Sequence, residues 1–400
     1  MKVKALLTAL FLVLVLIPGP EAGASETKVA VDKWEIPFLN SWTGVAAGYG
    51  KLCDFFQKYA VEEINKAGGI AGKPLVIQDC DTAMDPTRAA SCMKKAVEKS
   101  LLVIGPMTSL ATQVCSPIAA KAGVMSLPVA GGYETIKDSR PWAAVLMIPN
   151  IRRARFTMNA WLDQNPDIKT VVMLGFPKVA QWRKLGDLQK QALEERGVKV
   201  LENIDVQAGA VDVSSVVIRT MKSKPDGIVT RLMGPDTVRI VSELMKRGWK
   251  NRGAVFSHSS VDSPELYSMS AEAGNVMEGT YLGSWGPGQD SEAYRGLLAA
   301  FKGLKGQEKA TGLMWGDLFY IATWMAKAAI EETGATGDPA KLKEERIKIR
   351  DYINSMKNFD SRVRGSIDAR PDGTFTVPIF LARIESNKPV IVASSKDFKK

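Results

Sequence analysis

From Trp34 onward the chain alternates short apolar runs with longer amphipathic ones, and this alternation confines it to a parallel-sheet α/β fold. The first unit shows the pattern most clearly. The run Trp34–Leu39 enters a Gly-rich turn at Ser41-Trp42-Thr43-Gly44. The helix that follows carries Leu52, Phe55, Phe56, Tyr59, Ala60 and Ile64 at the 3–4 spacing of one buried face. Gly68 and Gly69 end it by supplying positive φ, and Leu75–Asp79 returns as a second strand. The next helix opens with Asp85 as N-cap and Pro86 at its first position.

The alternation continues through strands at Leu101–Ile104, Val124–Leu127 and Ala144–Ile148, with a helix over Ser109–Ala122. A second series runs from helix Arg152–Asp163 to strand Gly279–Ser284, through strands at Thr170–Leu174, Val198–Asn203, Gly227–Leu232 and Ala254–Ser257. Two series predict two open parallel sheets wrapped by helices. The later helix Leu313–Glu332 is apolar almost all round, so it should be buried. A β-rich tail follows, with runs at Val363–Ile367 and Val377–Ile384 separated by the turn Arg370-Pro371-Asp372-Gly373.

The first 24 residues read as an export signal. Lys2 and Lys4 precede the apolar run Ala5–Ile17, Pro18 and Pro20 break it, and Ala22-Gly23-Ala24 offers small residues for cleavage near Ala24. The run is shorter than the ~20 residues a membrane span needs, so a periplasmic location is expected. The absence of Cys near that site predicts no lipid anchor. A net charge of +10 is spread along the chain, with no basic run interleaved with aromatics, so nucleic acid is not an expected partner.

Cysteines stand at 53, 80, 92 and 115. An oxidising compartment favours disulfides, and four cysteines allow three pairings. Cys53 lies on the first helix and Cys80 at the end of the second strand. Cys92 and Cys115 fall on successive helices sharing one face. The expected pairing is therefore Cys53–Cys80 with Cys92–Cys115. No C-x-x-C pair suggests zinc.

Several stretches together resemble the type I periplasmic solute-binding proteins of the leucine/isoleucine/valine-binding family. They include Thr43-Gly44 with Tyr49-Gly50, Glu63-Ile64-Asn65-Lys66-Ala67-Gly68-Gly69, and Asp85-Pro86-Thr87-Arg88-Ala89-Ala90. Ile104-Gly105-Pro106 with Thr108-Ser109, Lys224-Pro225-Asp226-Gly227, Ser263-Pro264-Glu265-Leu266 and Gly365-Ser366-Ile367-Asp368 follow in family order. The resemblance implies two Rossmann-like lobes with parallel sheets flanked by helices, joined by a three-segment hinge. Lobe 1 would comprise 25–149 plus 285–369, and lobe 2 150–284 plus 370–400. It also implies a monomer that binds a small molecule and engages the permease and ATPase subunits of an ABC importer, without a cofactor.

In such a fold the ligand sits where strand carboxyl ends face each other. Free amides at the helix start after Pro106, with the Thr108 and Ser109 hydroxyls, suit a carboxylate. The resemblance places Ser109 at the family's carboxylate-binding serine; Thr108 also serves as a helix cap. Ala130-Gly131-Gly132 matches the loop that holds the amino-acid head group, with Gly132 standing where a Thr is common. Trp182 falls at a cleft tyrosine and Met233 at a frequent aromatic. Trp42 and Tyr49 flank the first turn and are placed to wall the side-chain pocket. Arg231 pairs either with a second ligand anion or with Asp236. His258 is the single histidine of the chain, with a structural or a ligand-binding role. Amino-acid binders of the family carry an acid where Ser259 stands here. Either Asp262 reaches in, or the ligand lacks an α-amino group; the second alternative is favoured.

Enzyme readings find little support. One histidine supplies no metal cluster, no Gly-x-Ser-x-Gly elbow occurs, and Gly68…Gly72-Lys73-Pro74 lacks the spacing and hydroxyl of a phosphate loop. The expected function is an extracytoplasmic solute receptor for an importer, closing on a small carboxylate; the alternative is a soluble ligand sensor.

Overall fold

Two sheets repeat one strand order. The computed structural model describes residues 29–44, 47–130, 132–176, 180–286, 290–308, 310 and 312–395; the expected leader and Gly131 lie outside the described residues. The first half contains β1 (Trp34–Asn40), α1 (Ala47–Lys66), β2 (Leu75–Asp81), α2 (Pro86–Lys99), β3 (Leu102–Ile104), α3 (Ser109–Lys121), β4 (Met125–Leu127) and α4 (Tyr133–Ile136). Then come α5 (Asn150–Gln164), β5 (Thr170–Gly175), α6 (Ala180–Glu195), β6 (Lys199–Asp205), α7 (Ser214–Lys222), β7 (Gly227–Arg231), α8 (Gly234–Lys246), β8 (Val255–Ser257), α9 (Pro264–Glu272) and β9 (Tyr281–Ser284). The chain ends with α10 (Glu292–Lys302), α11 (Asp317–Glu332), α12 (Leu342–Ser355), β10 (Phe359–Asp360), β11 (Ser366–Ile367), β12 (Phe380–Glu385) and β13 (Lys388–Ser394).

The first sheet is parallel, in the order β2-β1-β3-β4. The second runs β13-β12-β9-β8-β7-β5-β6, with β12 and β13 antiparallel at one edge. In both, strand order reverses beside the first strand, between β1 and β3 and between β5 and β7. These are the switch points where open α/β sheets leave a crevice. Gly105 allows the close approach at the first one. Its φ is +93°, and a Cβ there would meet the Leu39 carbonyl at 2.5 Å.

Period-2 alternation along β1 decides which helices cover which face. Phe38 packs with the α1 and α11 core, whereas Leu39 faces α2 and α3. After β9 the helices α11 and α12 pack on the first sheet, while β12 returns to pair with β9. The chain thus passes between the sheets after β4, after β9 and after β11.

The stretch expected as a strand over 144–148 does not extend the sheet. Ala143 bridges Ser126, and Val145 bridges Thr374 of the returning tail. Pro141 and Pro149 bracket the segment and remove donors a ladder would need. It is a connector shared by β4 and the tail.

The expected disulfides are also corrected: Cys80 is bonded to Cys92, with Cα atoms 5.8 Å apart. Cys53 lies buried across the sheet in the α1–α11 core, beyond reach of Cys80. Cys115 does share the α2–α3 face with Cys92, but its Sγ lies 3.3 Å from the Ala89 carbonyl and stays reduced. Burial pushes the Cys53 thiol well up and that of Cys115 to about 12, so neither forms a reactive thiolate.

Arg364 forms a nearly inaccessible ion pair with Asp317, at 2.6 and 2.9 Å. Two further N–H groups donate to the carbonyls of Trp285 and Met314, both at 2.6 Å.

Two measurements check this arrangement. Ellman's reagent should find no thiol in the native protein, two after denaturation and four after reduction, with peptide mapping linking 80 to 92. Asp317→Ala strands a buried guanidinium and should cost about 3–5 kcal/mol in urea unfolding.

Candidate functional site

The carboxyl ends of both sheets open onto one cleft of about 570 Å³, within the usual size for small-ligand sites. Each rim contributes through its own loops. From the first sheet come Tyr49 after β1, Met84 after β2, Met107 to Leu110 after β3 and Ala130 after β4. From the second come Trp182 and Leu185 after β5, Met233 after β7, His258 after β8 and Trp285 after β9. Met147, Asn150 and Arg153 enter from the first crossing, and Met314 with Trp315 from the approach to α11.

The α3 end presents free amides and hydroxyls, groups whose chemistry suits an anion. Thr108 is the N-cap, its hydroxyl accepting from the Ala111 amide at 3.3 Å. Ser109 and Leu110 begin the helix, so their amides have no intrahelical acceptor. Aromatic side chains form much of the remaining wall. Tyr49 and Trp315 lie with ring centroids 6.0 Å apart. Trp182 packs on Phe176 at 5.5 Å and on His258 at 5.4 Å. The five methionines add polarizable, adjustable surface.

Among the described residues lining the cleft, Arg153 is the one charged side chain. It is 7% exposed. Its guanidinium donates to Ser259 Oγ at 3.3 Å and to the Ile148 carbonyl and Met147 Sδ at 3.5 Å, and lies 4.6 Å over the Trp285 ring. No carboxylate pairs with it among the described residues. Burial pushes it down to about 10, so it remains cationic at neutral pH.

Of the residues expected in the site, Tyr49, Thr108, Ser109, Ala130, Trp182, Met233 and His258 come together there. Trp42 does not line the cleft: its ring stacks edge-on against Phe38 at 5.4 Å, and its amide is held by Asp81. Gly132 turns into α4, accepting from the Thr135 hydroxyl at 2.7 Å. Arg231 does not line the cleft; it fills space left by Gly175 and Gly186, where a Cβ would meet its guanidinium at 2.6 and 2.7 Å. It donates to Asn203, not Asp236, which instead holds Arg239. Burial pushes it down to about 10 against the pull of Asp187 and Asp205.

Ser259 stands behind Arg153 and accepts from it. Asp262 does not reach in. Its carboxylate accepts from Tyr267 at 2.5 Å, Ser284 at 2.6 Å and the Trp285 amide at 3.1 Å, and borders a separate cavity of about 260 Å³. Burial raises its pKa, opposed by these hydrogen bonds. Residue pattern did not reveal Arg153, Trp285, Trp315 or the methionines Met84, Met107, Met147 and Met314 as cleft walls. Arg152-Arg153 looks like the charged face of a helix, and only the crossing of the chain turns Arg153 inward.

Among the described residues no group of His, Cys, Asp and Glu could hold a metal ion, and no helix is long and apolar enough to cross a membrane. A profile described as periplasmic binding protein matches residues 33–389. The leucine-, isoleucine-, valine-, threonine- and alanine-binding protein of Pseudomonas aeruginosa is 24% identical over 329 residues, covering 81% of this chain and 84% of that protein. A branched-chain amino acid transporter substrate-binding protein from Streptococcus pneumoniae, solved with isoleucine, aligns at TM-score 0.71 and 19% identity, over 90% of this chain and 98% of its own. An ABC transporter solute-binding protein from R. palustris, solved with benzoate, aligns at 0.71 and 16% identity, over 91% and 96%.

Burial, with Arg153 and Arg231 nearby, depresses the His258 pKa well below its ordinary value. Below about pH 6.5 the unfolded chain therefore binds a proton that the folded chain refuses. The stability held by neutral His258 should be complete above that pH and fall as pH drops toward 5. His258→Gln should remove this part of the slope, read as the difference between urea unfolding of wild type and variant across pH 5–8.

Proposed function

Because the chain belongs to the periplasmic binding protein family, we propose that it is the extracytoplasmic solute receptor of an ABC importer, closing two lobes on a small carboxylate-bearing ligand. It is a binding protein, not an enzyme. The lobes in this reading are 25–149 plus 285–369 and 150–284 plus 370–400, with the leader removed near Ala24. One observation carries the reading: a cleft lined by the carboxyl ends of both sheets, with a helix N-terminus on one rim and a buried cation on the other.

An anion held by the α3 amides and the Ser109 hydroxyl gains its second set of contacts only when the opposite rim approaches. A ligand shifts the open–closed equilibrium by the difference in its affinity for the two forms, so contacts split between rims drive closure. Permease and ATPase subunits would then recognise the closed shape. The ligands bound in the two aligned structures, isoleucine and benzoate, share only a carboxylate on an apolar body, which fits these walls.

A thermal-shift screen of amino acids against aliphatic and aromatic carboxylates should yield a stabilising ligand. Calorimetry should then show Ser109→Ala and Trp182→Ala each weakening it by about tenfold or more, the equivalent of ~1.4 kcal/mol. Wild-type affinity in both variants would remove the site. Ligand-dependent uptake with neighbouring permease and ATPase genes separates importer from sensor.

A further inference from the structure

Resting on the receptor reading above, we infer that the ligand is a monocarboxylate without an α-amino group, its charge met by Arg153 and its body held between tryptophans. The electrostatics of the cleft carry this choice. A buried guanidinium is costly unless an anion meets it, and among the described residues Arg153 has neutral acceptors, at 3.3 to 3.5 Å. Those bonds are long and leave the charge itself unmatched.

Among the described residues lining the cleft, an ammonium would meet no counter-charge. Ser259 presents a hydroxyl that already accepts from Arg153. Asp262 is fully engaged by Tyr267, Ser284 and the Trp285 amide, and faces the smaller cavity. Glu265, exposed at the start of α9, reaches Tyr49 electrostatically but lies outside the lining. A ligand ammonium would therefore be desolvated beside a like charge. A carboxylate with an apolar body loses nothing of this kind. The Trp285 ring already backs the Arg153 guanidinium at 4.6 Å, so a planar or branched hydrocarbon can follow the same wall.

The test compares acids that differ only in the amino group: 3-phenylpropanoate with L-phenylalanine, and 4-methylpentanoate with L-leucine, by calorimetry at pH 7.5. In at least one pair the acid lacking the amino group should bind about tenfold or more tightly than its partner. Uncharged 3-phenylpropanamide should not bind. Arg153→Gln should weaken the bound acid by about 30-fold or more and Arg153→Lys should retain part of the affinity. Glu265→Gln should leave it unchanged. Tighter binding of the amino acid in both pairs overturns the inference while leaving the receptor reading intact. So does wild-type affinity in an Arg153→Gln protein with a native unfolding midpoint. Should Arg153→Gln fail to fold, the paired acids on wild-type protein decide alone. Silence from all four acids, and from benzoate and phenylacetate, counts against both the inference and the receptor reading.

Discussion

The guanidinium of Arg364 ties the cleft to the core. Removing it from water costs several kcal/mol, an amount recovered only when its donors are met in good geometry. Asp317 takes two bonds and the Trp285 and Met314 carbonyls take the others. Both carbonyls belong to residues whose side chains wall the cleft. Trp285 directly follows β9 of the second sheet, whereas Asp317 begins α11 over the first. One buried pair thus fixes the second crossing of the chain against the half that carries α11, and the cleft wall inherits that rigidity.

Two buried arginines differ in their access to the cleft: Arg153 lines it and Arg231 does not. Arg231 lies within the field of Asp187 and Asp205 and donates to Asn203. That field offsets its charge only in part, since its Nε and Nη1 meet no hydrogen-bond acceptor among the described residues, and it does not line the cleft. Arg153 faces a hydroxyl, a carbonyl and a thioether, none of which carries charge. Burial, with both arginines nearby, holds the His258 pKa well below its ordinary value, and the ring packs on Trp182 as an aromatic surface. The cleft therefore presents apolar walls and a single unmatched positive charge among its described lining residues.

Much of the fold was legible because helix and strand periods rarely conflict in this chain. The α2 start at Asp85-Pro86 and the buried α11 follow from capping and all-round apolarity. The connector over 143–149 was misread because an apolar run does not say whether a neighbouring strand is available to pair with it. The disulfide was misread for a related reason: sequence order does not give the face of the sheet, and Cys53 lies opposite Cys80. In the site, Ser109, Trp182 and Met233 were legible because the family resemblance marks them and their loops follow strand carboxyl ends, where open α/β sheets bind ligands. Arg153 and Trp315 approach through crossings and tertiary packing, which leave no local pattern.

The same geometry separates what the scaffold conserves from what it can vary. In the proposed receptor, closing requires that both rims touch one ligand, and the switch points of the two sheets would provide that whatever the ligand is. Ligand class depends on which charge stands behind the cleft. With a hydroxyl at Ser259 leaning on Arg153, and Asp262 turned to Tyr267 and Ser284, the sign at that position is positive. An acid at the Ser259 position would pair with Arg153 itself, cancelling the cation rather than creating an ammonium site. Reversing the preference would therefore require removal of Arg153 as well as addition of an acid, two coupled changes whose effects would not add.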